Sequence, residues 1–111
     1  MRRSNGDLEN NGGDEQGLGE FYLMKLEPEL DPGRFKVGFA DDVEDRARQF
    51  RCVAHFLEVV KTWSCKRLWE KTAIDFVTVG AENLRIEVFR TQSIETVIEQ
   101  CDRFFAARHR L

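Results

Sequence analysis

Two cationic side chains, Lys36 and Arg46, lie in one stretch whose pattern predicts a strand followed by a helix. Apolar residues alternate with Lys36 and Gly38 over positions 35–39, which is the period of a half-buried strand. A lysine in such a strand can hold a phosphate group or, where it is desolvated, act as a base. Gly38 at the strand exit favours close approach of another group to the backbone. Any chemistry here therefore depends on how this strand and the next helix are placed.

The predicted helix after this strand brings Arg46 to the edge of the sheet. Asp41 is expected to cap it, with Glu44 as the capping-box partner three residues later. Arg46 lies at the edge of the apolar face of this helix. The alternative is a surface arginine paired with Asp42 or Asp45. The apolar face itself consists of Val43, Ala47 and Phe50.

Tyr22 and Glu70 also have surroundings that suggest a function. Tyr22 is the single tyrosine of the chain and lies in a strand that is apolar on both faces, so a buried hydroxyl needs a partner. Glu70 has apolar residues three, four and seven positions later in a predicted helix. A structural tyrosine is the alternative for Tyr22. Pairing with Lys66 is the alternative for Glu70.

These residues resemble the signatures of the GIY-YIG nuclease superfamily. Lys36-Val37-Gly38 is similar to the branch in which the second signature is Lys-Ile-Gly, with Arg46 at the position of the arginine in the next helix. Tyr22 lies in a segment similar to the first signature, Glu70 matches the acidic residue, and Glu87-Val88-Phe89 matches the closing pattern of that branch. The resemblance extends over roughly residues 19–105 and depends on the order and spacing of short motifs.

The resemblance implies a divalent-metal-dependent endonuclease that hydrolyses phosphodiester bonds in DNA. It implies that Tyr22 lies near the nucleophilic water and that Arg46 binds the scissile phosphate. It makes Glu70 the ligand of one Mg²⁺ or Mn²⁺ ion, and Lys36 the fourth candidate catalytic residue. The alternative function is a catalytically silent domain of the same fold that binds nucleic acid or a protein partner.

Three positions depart from the pattern of that superfamily. Lys36 replaces the tyrosine of the wider superfamily and cannot act as a phenol would. Ile74 stands where this branch often has a histidine, and Ala40 stands where a serine or threonine is usual. These three differences weigh against catalytic activity more than against the predicted fold.

The charge of the chain limits how it could bind DNA. The formal net charge is −3 at pH 7, whereas strong nucleic-acid binders usually have a basic surplus. DNA binding would therefore need a local basic patch or a partner protein. Ordinary surface charge that balances nearby acids explains the same basic residues equally well. The candidate patch consists of Arg48, Lys66, Arg67 and Lys71.

Cysteine and histidine content argues against a zinc site. The chain has 3 cysteines and 2 histidines without a Cys-x-x-Cys motif, which favours reduced core thiols in a cytoplasmic protein. The sequence contains no apolar run of membrane length, so no membrane association is expected.

The sequence predicts an N-terminal tail and one domain. Residues 1–18 are poor in large apolar groups and are predicted to be a disordered tail. Residues 19–111 are predicted to form a GIY-YIG-like α+β domain, with a small, mostly antiparallel three-stranded sheet flanked by three helices. The strands are expected near residues 20–26, 35–39 and 55–63, with a turn at 31–33. The helices are expected at 42–51, at 65–77 with Ser64 as cap and Leu68 on the apolar face, and after a Ser93 cap, where apolar residues follow the helical period. A loop is expected at 78–84 and a short extended segment at 85–89.

Overall fold

A computed structural model describes residues 17–109 of the chain. Most of the predicted tail, residues 1–16, lies outside this range, and so do residues 110–111. Leu18, which the sequence analysis assigned to the tail, is the first residue of a strand and pairs with Lys66.

The domain consists of an antiparallel sheet and three α-helices. The strands are β1 Leu18–Glu27, β2 Asp31–Ala40, β3 Glu58–Lys66, β4 Glu82–Arg85 and β5 Val88–Arg90. The helices are α1 Val43–Phe50, α2 Glu70–Val77 and α3 Ile94–His109, with a 3₁₀ turn at Arg67–Trp69. All four strand pairings are antiparallel, and the order across the sheet is β3-β1-β2-β5-β4.

The prediction of a three-stranded sheet is wrong, because this sheet has five strands. The predicted loop at 78–84 overlaps β4, and the segment at 85–89 overlaps β5. These strands have 4 and 3 residues, too few for an alternating pattern to be recognised. β4 is also mostly exposed. Its strand conformation comes from pairing with β5 rather than from local sequence.

The hairpin of β1 and β2 forms as predicted, but its turn lies earlier. The turn occupies residues 28–30, and Asp31, Pro32 and Gly33 belong to β2. Gly33 is needed for close packing instead of chain reversal, since a Cβ there would lie 2.1 Å from the Thr91 carbonyl oxygen. The Gly33 carbonyl accepts a hydrogen bond from the Thr91 N–H at 2.8 Å.

The prediction that α2 starts after a Ser64 cap is also wrong. Ser64 and Cys65 belong to β3, where they pair with Glu20 and Gly19 of β1. The longer β1 extends this pairing, and the helical segment begins only at residue 67. Leu68, assigned to the apolar face of that helix, is 84% exposed.

Of the predicted caps of the other two helices, one is wrong and one is confirmed. Asp42, not Asp41, caps α1, because its carboxylate accepts the Asp45 N–H at 3.0 Å. Ser93 caps α3 as predicted, since its Oγ accepts the Thr96 N–H at 3.2 Å.

The sheet has a core on each face. Phe21, Leu23, Phe35 and Val37 pack with α2 and α3 on one face. The alternate residues of β1, such as Tyr22 and Met24, pack with α1 on the other. Since side chains alternate along a strand, Lys36 and Gly38 face the α1 side with Tyr22.

Two of the three cysteines are buried free thiols, as predicted for core cysteines. Burial raises the pKa of Cys65 and of Cys101 to about 12, so neither is a reactive thiolate at neutral pH. Cys52 is exposed and is not a core thiol. Among the helices between residues 17 and 109, none is long and apolar enough to cross a membrane.

Candidate active site

The site is centred on Tyr22 and Gly38, which are cross-strand partners in β1 and β2. Tyr22 is 1% exposed, and its hydroxyl lies over the backbone of Gly38. A Cβ at position 38 would lie 2.6 Å from the Tyr22 oxygen and 2.9 Å from the ring carbon that bears it. The sequence predicted a close approach at Gly38, and the approaching group is the Tyr22 phenol.

Three charged side chains act on the Tyr22 hydroxyl. Its pKa is raised to about 12, mainly by burial and next by the charge of Glu87. The Arg46 guanidinium opposes this rise through its charge and a side-chain hydrogen bond, and Glu70 adds to it. The phenol is therefore protonated at neutral pH, and the charges of Arg46, Glu70 and Glu87 act on it.

Arg46 reaches this site from α1 and is not held by an acid. Between residues 17 and 109 no carboxylate forms an ion pair with it. Asp45 pairs with Arg48 at 2.8 Å, and Asp42 serves as the helix cap. The alternative of a surface arginine paired with Asp42 or Asp45 is thus not what the structure has. The guanidinium can bind an anion.

Glu70 begins α2 and contacts the backbone of β2. Its Oε2 accepts the Phe39 N–H at 3.2 Å. Pairing between β2 and β5 ends at Lys36, so Glu70 binds the part of the β2 edge that β5 leaves free. Glu70 is not paired with Lys66, whose Nζ lies 5.5 Å from the centre of the Trp69 ring.

Lys36 is held by Glu87, a residue that the sequence analysis did not place in the site. The Lys36 Nζ lies 3.4 Å from Glu87 Oε1 and 4.9 Å from the centre of the Phe50 ring. Glu87 belongs to the turn between β4 and β5 and has a φ of 60°, a conformation that is unfavourable for a glutamate.

Glu87 could have been found only through the closing pattern in which it precedes Val88 and Phe89. That pattern does not reveal that β5 pairs with β2 at Lys36. Without this pairing, nothing in the sequence brings an acid at position 87 beside Lys36.

Glu70 and Glu87 border one open cleft of about 300 Å³. Lys71, Ile74 and Asp75 line the rest of it. No group of three or more His, Cys, Asp or Glu side chains that could hold a metal ion occurs within residues 17–109. The carboxylates still fit Mg²⁺ or Mn²⁺, since Mg²⁺ often binds one or two carboxylates and completes its shell with water and substrate oxygens.

Three of the four predicted nucleic-acid-binding residues form ion pairs with acids, and Lys66 contacts an aromatic ring. Arg67 pairs with Asp41 at 3.5 Å, and its guanidinium lies 4.8 Å from the centre of the Phe39 ring, beside the site. Lys71 lines the cleft but is 3.7 Å from Asp75. Arg48 pairs within α1, and Lys66 stacks on Trp69.

Comparison of the chain with protein-family models, with curated proteins and with solved structures found no match. Membership of the GIY-YIG superfamily therefore stays a prediction from the sequence motifs.

Proposed function

We propose that this protein is a divalent-metal-dependent endonuclease that hydrolyses phosphodiester bonds in DNA. The observation that carries the proposal is the grouping of Tyr22, Glu87 and Glu70 around Gly38. A Cβ at position 38 would lie 2.6 Å from the Tyr22 oxygen and 3.4 Å from Glu87 Oε1, and Glu70 accepts the neighbouring Phe39 N–H at 3.2 Å. The charge of Arg46 also acts on the Tyr22 phenol. A cation, a fixed hydroxyl and carboxylates beside an open cleft are the groups that phosphodiester hydrolysis requires.

Arg46 binds the scissile phosphate in this proposal. Attack on phosphorus adds negative charge to the phosphate oxygens, and a guanidinium stabilises it through charge and paired N–H donors. The absence of a competing carboxylate within the described chain leaves Arg46 available for this role.

Tyr22 acts as a hydrogen-bonding group and not as a base. A pKa of about 12 keeps its proton in place at neutral pH. Because the phenol keeps its proton, the Tyr22 O–H can donate to the attacking water or to a phosphate oxygen. Lys36, held by Glu87 at 3.4 Å, places a second cation on the same face of the sheet.

Glu70, with Glu87 across the cleft, would hold Mg²⁺ or Mn²⁺. When bound, such an ion supplies a Lewis acid for the phosphate and the leaving oxygen. The Phe39 N–H fixes one oxygen of the Glu70 carboxylate at 3.2 Å, which orients the other for ligand binding.

The proposal is tested by incubating purified protein with supercoiled plasmid in Mg²⁺, in Mn²⁺ and in EDTA. We expect nicking with either metal, none in EDTA, and loss of nicking in Arg46→Ala and Glu70→Ala. Arg103→Ala is the matched control, because Arg103 is an exposed residue of α3 outside the site. Nicking that persists in EDTA or in both site variants would contradict the proposal.

A silent nucleic-acid-binding domain is the second candidate. It is favoured by the Lys36–Glu87 ion pair, because a lysine that donates to a carboxylate is not free to act on a water molecule or a phosphate. This function predicts DNA binding by the wild type without nicking under any of the metal conditions above.

A further inference from the structure

A second cleft lies next to Lys36, on the α1 face of the sheet. It has a volume of about 350 Å³. Arg34, Lys36 and Arg85 line it as cations, and Glu27 is its one lining acid. Lys36 lines this cleft and forms an ion pair with Glu87, which lines the cleft of the candidate active site.

The two arginines of this cleft are unpaired, unlike most of the basic residues discussed above. No carboxylate within residues 17–109 forms an ion pair with Arg34 or Arg85, whereas Arg48, Arg67 and Arg90 are all paired. The Nε of Arg34 is buried and, within the same range, has no hydrogen-bond partner. A buried N–H without an acceptor is unfavourable. A ligand oxygen that accepts a hydrogen bond from the Arg34 guanidinium in the cleft therefore removes this cost.

A second part of the cleft wall is apolar and accessible. Val53 is 87% exposed and Ile86 is 84% exposed. Phe50 also lines the cleft, and its ring centre lies 4.9 Å from the Lys36 ammonium. A ligand that matches both walls needs an anionic group and a flat apolar face.

We propose that this cleft binds an unpaired nucleotide of a nucleic-acid strand, with its phosphate on Arg34 and Arg85 and its base on Phe50, Val53 and Ile86. A base inside a duplex has both faces stacked, so only an unstacked base can lie against an apolar wall. The proposed nuclease function is needed only for the neighbouring phosphate to be the scissile one. Binding of the nucleotide to the cleft does not depend on that function.

The test is fluorescence anisotropy in EDTA, which prevents metal-dependent cleavage. The probes are a labelled oligothymidylate of about ten nucleotides, a length within the range that such sites bind, and a blunt duplex of the same length and label. We expect the wild type to bind the single strand more tightly than the duplex.

Arg85→Gln and Ile86→Ser carry the test, because both side chains are exposed and neither substitution opens the core. Arg85→Gln should weaken single-strand binding about fivefold and reduce the slope of log K against log salt by about 0.7. Ile86→Ser should weaken it by about three- to fivefold without changing that slope. Matched controls on the other side of the molecule are Arg103→Gln on α3 and Val79→Ser after α2, which is 68% exposed.

The proposal is overturned if the wild type does not bind the single strand, if it prefers the duplex, or if either cleft variant binds as the wild type does. Plasmid nicking, measured separately, distinguishes the two proposals. Nicking with unchanged binding in the variants overturns the nucleotide site alone. Variant-sensitive binding without any nicking overturns the nuclease alone.

Discussion

The Tyr22 hydroxyl lies over Gly38 so closely that no side chain fits at position 38. A Cβ there would be 2.6 Å from the phenol oxygen, well inside contact distance. Since Tyr22 is 1% exposed and packed in the sheet, it cannot move away without disturbing its neighbours. The two residues therefore fix the position of the hydroxyl around which the charged groups of the site are arranged.

Gly38→Ala should destabilise the domain by about 1–3 kcal/mol, because an added methyl group forces the phenol out of place. Tyr22→Phe removes the oxygen, so Gly38→Ala should cost less in the Tyr22→Phe background than in the wild type. Urea unfolding of the two single variants and the double variant measures this coupling. Strictly additive effects would mean that the hydroxyl does not occupy this position.

The pKa of Tyr22 can be measured directly, since it is the only tyrosine of the chain. We expect tyrosinate absorbance to appear with a midpoint at about pH 12. Glu87→Gln should lower this pKa, and Arg46→Gln should raise it, because each removes the charge that shifts it. A midpoint near the ordinary tyrosine pKa of about 10 would place the phenol in water.

This raised pKa also has a consequence for stability. Folding favours protonated Tyr22, so its contribution is complete below pH 10 and is lost as the pH rises towards about 12. Over this pH range the free energy of unfolding should therefore fall less for Tyr22→Phe than for the wild type, and the difference should be roughly 2–3 kcal/mol. Urea unfolding of both proteins at a series of pH values provides the comparison.

Glu87→Gln should reduce nicking while changing stability by less than about 1 kcal/mol, since partly exposed ion pairs contribute little to folding. The substitution keeps the shape of the side chain and removes the charge that holds Lys36 at 3.4 Å. Its matched control is Glu99→Gln on α3, an exposed acid outside the site. Equal nicking rates for Glu87→Gln and the wild type would show that the charge of Glu87 does not contribute to nicking.

Asp42→Ala should cost about 1 kcal/mol of stability, the usual cost of losing a helix cap. Asp41→Ala should cost less, because Asp41 is exposed and forms only a 3.5 Å ion pair with Arg67. Thermal or urea unfolding of both variants tests the cap position. A larger loss for Asp41→Ala would restore the cap predicted from the sequence.

The sequence predicts the longer elements well, because their patterns repeat over many residues. The apolar period of α3 and its Ser93 cap, and the antiparallel pairing of β1 with β2, were confirmed. Prediction from the sequence fails where pairing with another strand decides the conformation of a segment. β4 has an exposed pattern without alternation, and Ser64 continues β3 because β1 extends to pair with it.

The candidate site could likewise be predicted only in part from the sequence. Gly38 as a point of close approach follows from its position at the end of an alternating strand, and the structure supplies Tyr22 as the approaching group. Glu87 could not be assigned, because a two-residue turn between short strands brings it to Lys36. Arg34 and Arg85, which have no ion pair within residues 17–109, could not be distinguished from paired arginines either, since ion pairing depends on contacts between elements.

The most direct test of the nuclease assignment is the single-turnover rate of plasmid nicking by the wild type, Arg46→Ala and Glu70→Gln in Mg²⁺ or Mn²⁺. We predict nicking by the wild type and a decrease of about 10²–10³-fold in each variant, with unchanged thermal unfolding. Absence of nicking by the wild type, or rates in both variants equal to that of the wild type, would contradict the assignment.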